Sequence, residues 1–161
     1  MARFTTLIVV AGICGFGPVA GAPAPAAEPA PVAPDFDAAL AARLGADDYG
    51  MRNYVLVILK TGPTPLPKGD KRTEMFKGHF ANIQRLADQG KLAAAGPFDG
   101  VDGWRGMFIF AVKDIEEAKS LTATDPVIVN GEMIAEYHKL YSSAALMLIN
   151  ETHGKIAKTK M

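Results

Sequence analysis

HFANIQRLADQGKLAAAGPFDG, residues His79 to Gly100, reads as the later part of an amphipathic helix, a glycine stop, a short strand and a Gly-Pro corner. Wound at about 100° per residue, Lys71 to Gln89 gathers Met75, Phe76, Phe80, Ile83, Leu86 and Ala87 into one arc. Lys77, Gln84, Arg85, Asp88 and Gln89 fall outside it. His79 falls inside the apolar arc, where a dry, unpaired imidazole costs about 1–3 kcal/mol. It therefore needs a polar pocket, or a backbone carbonyl that makes it an ordinary core histidine. Gly90 stands where a helix prefers a C-terminal glycine, and Leu92 to Ala95 follows as a strand.

Upstream, Asn53 to Lys60 holds the unbroken run YVLVIL, whose β-branched content and following breakers Gly62, Pro63, Pro65 and Pro67 indicate a buried first strand. Downstream, Gly96-Pro97-Phe98 with Asp99, Gly100, Asp102 and Gly103 makes a hairpin connection. Its aspartates lack the alternating ligands and closing Glu of a calcium loop. Met107 to Val112 is a third, wholly apolar strand. Asp114 followed by Glu117 is a capping-box pattern, so a second helix runs to about Thr124 and ends at Asp125-Pro126. Glu132 to Leu140 alternates with period two, as a last strand does.

The order strand, helix, strand, strand, helix, strand is the βαββαβ pattern of a ferredoxin-like α+β fold, with both helices on one face of an antiparallel sheet. Yet VLVIL and MFIFAV are apolar on both sides, where a half-exposed sheet alternates. The second face needs a cover, and a second copy of the chain is the simplest one, which predicts a homodimer.

Around this core the chain changes character. Arg3, the apolar run Leu7 to Ile13 and the small residues Gly15 to Ala27 have the layout of a secretory signal peptide over residues 1–26, cut between Ala22 and Ala27. That predicts a periplasmic or secreted protein with no membrane span in the mature chain. Cys14 suits a lipidated signal, but Ile13 occupies the position before it where a small residue is needed. Residues 27–52 read as a Pro/Ala-rich tether and a short helix, in which Phe36, Leu40 and Leu44 recur up to Gly45 behind Asp35 or Asp37. Residues 142–161 are an extension; Ser143 to Ile156 suits a helix or strand packed on the core, and the lysines that follow form a solvated end.

The 161 residues carry a formal net charge of zero, which speaks for one domain and against a nucleic-acid partner. Cys14 is the only cysteine, so a mature chain has neither disulfide framework nor Cys/His metal cluster. Glu136 and His138 share a strand face and His153 lies in the tail, spacings that hold no metal. No nucleophile motif, phosphate loop or cofactor fingerprint is present, so the expected cofactors are none.

Taken together, YVLVILKTGP, His79, GKLAAAGPF from Gly90, RGMFIF from Arg105 and EEAKSLTATDP resemble the YCII-related domain family of small dimeric α+β barrel proteins. The resemblance covers residues 53–141. It implies a pocket at the sheet edge or dimer interface where the helical histidine faces the aspartate of the Asp-Pro element, here His79 and Asp125. Some members are linked to elimination chemistry on chlorinated, hydroxylated aromatics. The residues themselves add a reason for the pair: a carboxylate in the last turn of a helix is unfavourable by about 0.3–1 kcal/mol unless a donor is near. The plain alternative is that Asp125 only starts a turn.

The expected function is thus acid/base chemistry, of elimination or isomerisation type, on a small, partly apolar ligand, with Asp125 setting the tautomer of His79. Arg105 would bind a carboxylate or phenolate, or stand as a solvated charge. Phe98 and Trp104 would line an aromatic site, or simply pack their loop. The competing expectation is a non-catalytic binding or structural homodimer, in which the same pair locks helix to sheet.

Overall fold

YVLVIL lies inside strand β1, Met51–Thr61, which begins two residues before the expected start. The computed structural model that shows this describes residues 35–159; the signal-peptide segment and the first part of the tether lie outside them. Before β1, helix α1 spans Ala38–Leu44, opened by the Asp37 side chain, which accepts from Leu40 N–H, and closed by Gly45 at φ +67°. The Pro-rich loop after β1 leads to α2, Asp70–Asp88. That helix ends in the expected glycine motif: Gly90 N–H donates to Ala87 O and Lys91 N–H to Leu86 O.

Strands β2, Leu92–Pro97, and β3, Trp104–Phe110, form the hairpin. Helix α3, Ile115–Thr122, is capped by Asp114, whose carboxylate accepts from Glu117 N–H at 2.8 Å. A separate one-turn helix, α4, covers Pro126–Val129, and β4 runs from Met133 to Ser143. The strands lie in the order β2-β3-β1-β4 with every neighbouring pair antiparallel, the α+β ferredoxin-like arrangement. Centrally, Val57 sits opposite Phe108 on one side and Tyr137 on the other.

Val55, Val57, Leu59, Phe108 and Phe110 face α2, α3 and α4, where Met75, Leu86, Ala118 and Val127 complete the main core. Phe80, expected in the buried arc, is instead 53% exposed, and Asn82 is buried in its place. The Asn82 side of α2 packs on the segment before α4, where Asn82 Oδ1 accepts from Thr124 Oγ1 at 3.1 Å.

Behind the sheet, Tyr54, Ala93 and Ile109 form a second cluster. A 3₁₀ turn at Ala144–Leu148 lays Leu146 and Met147 against it. Helix α5, Ile149–Ile156, follows, and Asn150 Nδ2 donates to Leu92 O at 2.7 Å. The chain's own C-terminal extension thus covers part of the face for which the sequence predicts a second copy as cover.

One irregularity aims a side chain. Leu59 pairs with Gly106 but Lys60 pairs with Trp104, so Arg105 is the extra residue of a β-bulge. Simple alternation would put Arg105 on the back of the sheet with Met107 and Ile109.

Candidate active site

The corner between α3 and α4 is fastened to α2 at three successive places. Gly78 comes so close that an added Cβ would lie 3.0 Å from Pro126 Cγ. His79 follows it. One turn on, Asn82 Oδ1 accepts from Thr124 Oγ1 at 3.1 Å and from Arg85 Nη2 at 2.6 Å. This clamp brings His79 Nδ1 to 2.9 Å from both oxygens of Asp125.

Asp125 is not in the last turn of a helix. Helix α3 has ended at Thr122, and Asp125 is the N-cap of α4, accepting from Val127 N–H at 3.1 Å. Its charge therefore faces the favourable, positive end of a helix, and the unfavourable-dipole argument for its pairing fails. The contact with His79 rests on geometry instead. The start-of-turn role and the histidine contact coexist on one carboxylate.

Asp125 has no exposed surface, and the His79 side chain retains 9%. A carboxylate 2.9 Å from Nδ1 accepts the Nδ1–H proton, leaving the lone pair on Nε2. Among the described residues Nε2 has no hydrogen-bond partner, and no buried side-chain nitrogen or oxygen is left unpaired, so Nε2 reaches solvent. Around the imidazole stand Phe76, Phe80 and Phe108, with ring centroids at 5.9, 5.4 and 6.0 Å. A nitrogen base thus opens onto an aromatic wall that Phe80 carries to the surface.

The YCII-related domain family matches residues 53–138 of this sequence. The chain belongs to that family. No curated protein matches it. Among solved structures it is similar to 5-chloro-2-hydroxyhydroquinone dehydrochlorinase from Burkholderia phenoliruptrix AC1100, in complex with 2,5-dihydroxybenzoquinone. The identity is 18% and the TM-score 0.38, over 52% of this chain and 90% of that one.

The other candidate residues of this YCII-family chain lie elsewhere. Phe98 and Trp104 pack on each other at 5.6 Å and line a cleft of about 270 Å³ with Asp99, Val101 and Asp102. Lys60 Nζ lies 6.0 Å from the Trp104 ring, on the back of the sheet. Neither aromatic ring neighbours His79. A larger cleft of about 560 Å³, lined by Arg52, Lys91 and Lys113 among others, also excludes His79.

Arg105 reaches a residue the sequence reading missed. Glu132, just before β4, is fully buried and accepts from Arg72 Nη2 at 2.6 Å and from Leu66 N–H at 2.7 Å. Arg105 Nη1 stands 3.7 Å from the same carboxylate. Burial pushes the Glu132 carboxyl up, but the bonds from Arg72 and Leu66 and the two guanidinium charges outweigh it and hold the group below its ordinary value. Arg72 lies 4.7 Å from the Phe76 ring, so this cluster continues the aromatic wall of His79. The available signal was a Glu set between Gly131 and the apolar Met133-Ile134 at the start of a strand.

Among the described residues no three His, Cys, Asp or Glu side chains are grouped to hold a metal. His138 Nε2 is bonded to Glu136 at 2.7 Å, and that pair stands apart on exposed β4 positions. Nor is any described helix long and apolar enough to cross a membrane.

Proposed function

We propose that this YCII-family protein carries out general acid/base chemistry, of elimination or isomerisation type, on a small, partly apolar molecule. His79 Nε2 takes and returns the proton, and Asp125 positions the ring and stabilises the imidazolium that forms. The observation that carries this reading is the doubly held Nδ1 beside an unpartnered Nε2 on an aromatic wall. Export by the first residues and assembly as a homodimer belong to the same proposal.

The competing reading is a structural lock, favoured by the second bond of Asp125 to Val127 N–H. His79→Ala separates the two poorly, because it strands a buried carboxylate. His79→Asn is the sharper variant: its amide nitrogen stands near the place of Nδ1, while nothing replaces Nε2. Paired with Asp125→Asn, it is to be compared with the wild type by thermal melting and in a binding and turnover screen of small aromatic and carboxylate compounds. The proposal expects melting temperatures within about 5 °C of wild type and loss of any turnover found. Lower melting temperatures without selective loss of activity identify a lock.

A further inference from the structure

Two guanidinium groups share one buried carboxylate, which leaves one positive charge in excess. Arg72 and Leu66 supply the hydrogen bonds to Glu132. Arg105 stays at 3.7 Å, makes no side-chain hydrogen bond among the described residues, and is 26% exposed. Glu132 is the one carboxylate within ion-pair distance of Arg105 among the described residues. A half-sheltered planar fork with its donors unused fits a carboxylate, which it grips through two parallel hydrogen bonds.

The backbone commits Arg105 to this role. The bulge turns it from the back of the sheet to the helix side. Next to it Gly106 lies so close to β2 that an added Cβ would meet Gly96 O at 2.8 Å, so no side chain can stand there. From Arg72 the path runs over Phe76 to His79. Arg72 and His79 are seven positions apart, about 10 Å along the helix, with the Phe76 ring between them.

We propose that Arg105 is the anion-binding group of the His79 site, and that the ligand is a carboxylic acid anion with a flat, apolar body lying along Phe76. The location rests on the acid/base reading above, whereas the charge of the ligand does not. Glu132 is then a positioning residue: it holds Arg72 and Arg105 in register and touches no ligand.

Benzoate and its neutral counterpart benzamide are the probes, titrated into the full-length protein by NMR. A probe of this size binds at about millimolar concentration. Benzoate is expected to bind at least about tenfold more tightly than benzamide. Arg105→Gln is expected to bring benzoate down to the benzamide level, and Arg105→Lys, which keeps the charge but not the fork, to lie between. Equal binding of the two probes, no binding of benzoate, or an unchanged benzoate affinity in Arg105→Gln overturns the proposal. Loss of turnover in His79→Asn with unchanged benzoate binding in Arg105→Gln removes this subsite and leaves the acid/base reading standing. The reverse pattern removes that reading and keeps the subsite.

Discussion

Asp125 satisfies two donors at once, Nδ1–H of His79 and the Val127 N–H, and nothing else among the described residues bonds its side chain. Asp125→Ala leaves both donors unpaired in a buried corner and is expected to lower stability by about 2–4 kcal/mol, read by urea denaturation. Asp125→Asn keeps an acceptor for both and is expected to lose less than half as much. Glu132 behaves differently because its role is electrostatic. Its carboxyl is held below its ordinary value, so its contribution is present in full above the unfolded-state value and is lost as pH falls through the folded one. Glu132→Gln should therefore lower stability by about 2–4 kcal/mol at neutral pH, with the gap to wild type closing below about pH 4. A gap that does not change with pH contradicts this account. His79 was legible because one imidazole stood on an apolar arc. Glu132 was not, since its partners Arg72 and Arg105 are 60 and 27 residues away and reach it only through the fold.

At the scale of elements, the strands were legible from their apolar runs and the helix ends from Asp114 and Gly90, which carry their own capping chemistry. The third strand was expected at Met107 to Val112 but runs Trp104–Phe110, because pairing with β1 and β2 rather than hydropathy decides where it begins. Asp125 was assigned to the wrong element for a related reason: the small-residue pattern of α3 does not mark its end, and α4 is too short to show a period. The bulge at Arg105 leaves no trace in sequence. The C-terminal extension gives the test proper to this scale. Truncation after Ser143 removes Leu146, Met147 and the Asn150 bond to Leu92 O, baring Tyr54, Ala93 and Ile109. Stability should fall by about 2–4 kcal/mol, with new binding of an apolar dye. Truncation without either effect means that the extension does not rest on the sheet in solution.

For the whole molecule, that cover leaves a smaller apolar area than the sequence suggested. Leu56 and Met107 remain half-buried behind the sheet, near Trp104 at 42% and Ile134 at 50% exposure. A second copy laid on these residues buries them, and light scattering at micromolar concentration should give twice the mass of the mature chain. A monomer there contradicts the homodimer proposal. Export predicts that protein recovered outside the cytoplasm begins between residues 23 and 27, and intact Met1 on such material contradicts it.

Asp125 holding the proton on Nδ1 of His79 is what leaves Nε2 bare as a base. Long-range ¹⁵N–¹H correlation of the imidazoles, recorded near pH 8 where an ordinary histidine is neutral, reads this directly. His79 is expected to show a protonated Nδ1 and an unprotonated Nε2, with the proton redistributing toward Nε2 in Asp125→Ala. A proton on Nε2 in the wild type, or the same tautomer in both proteins, contradicts it.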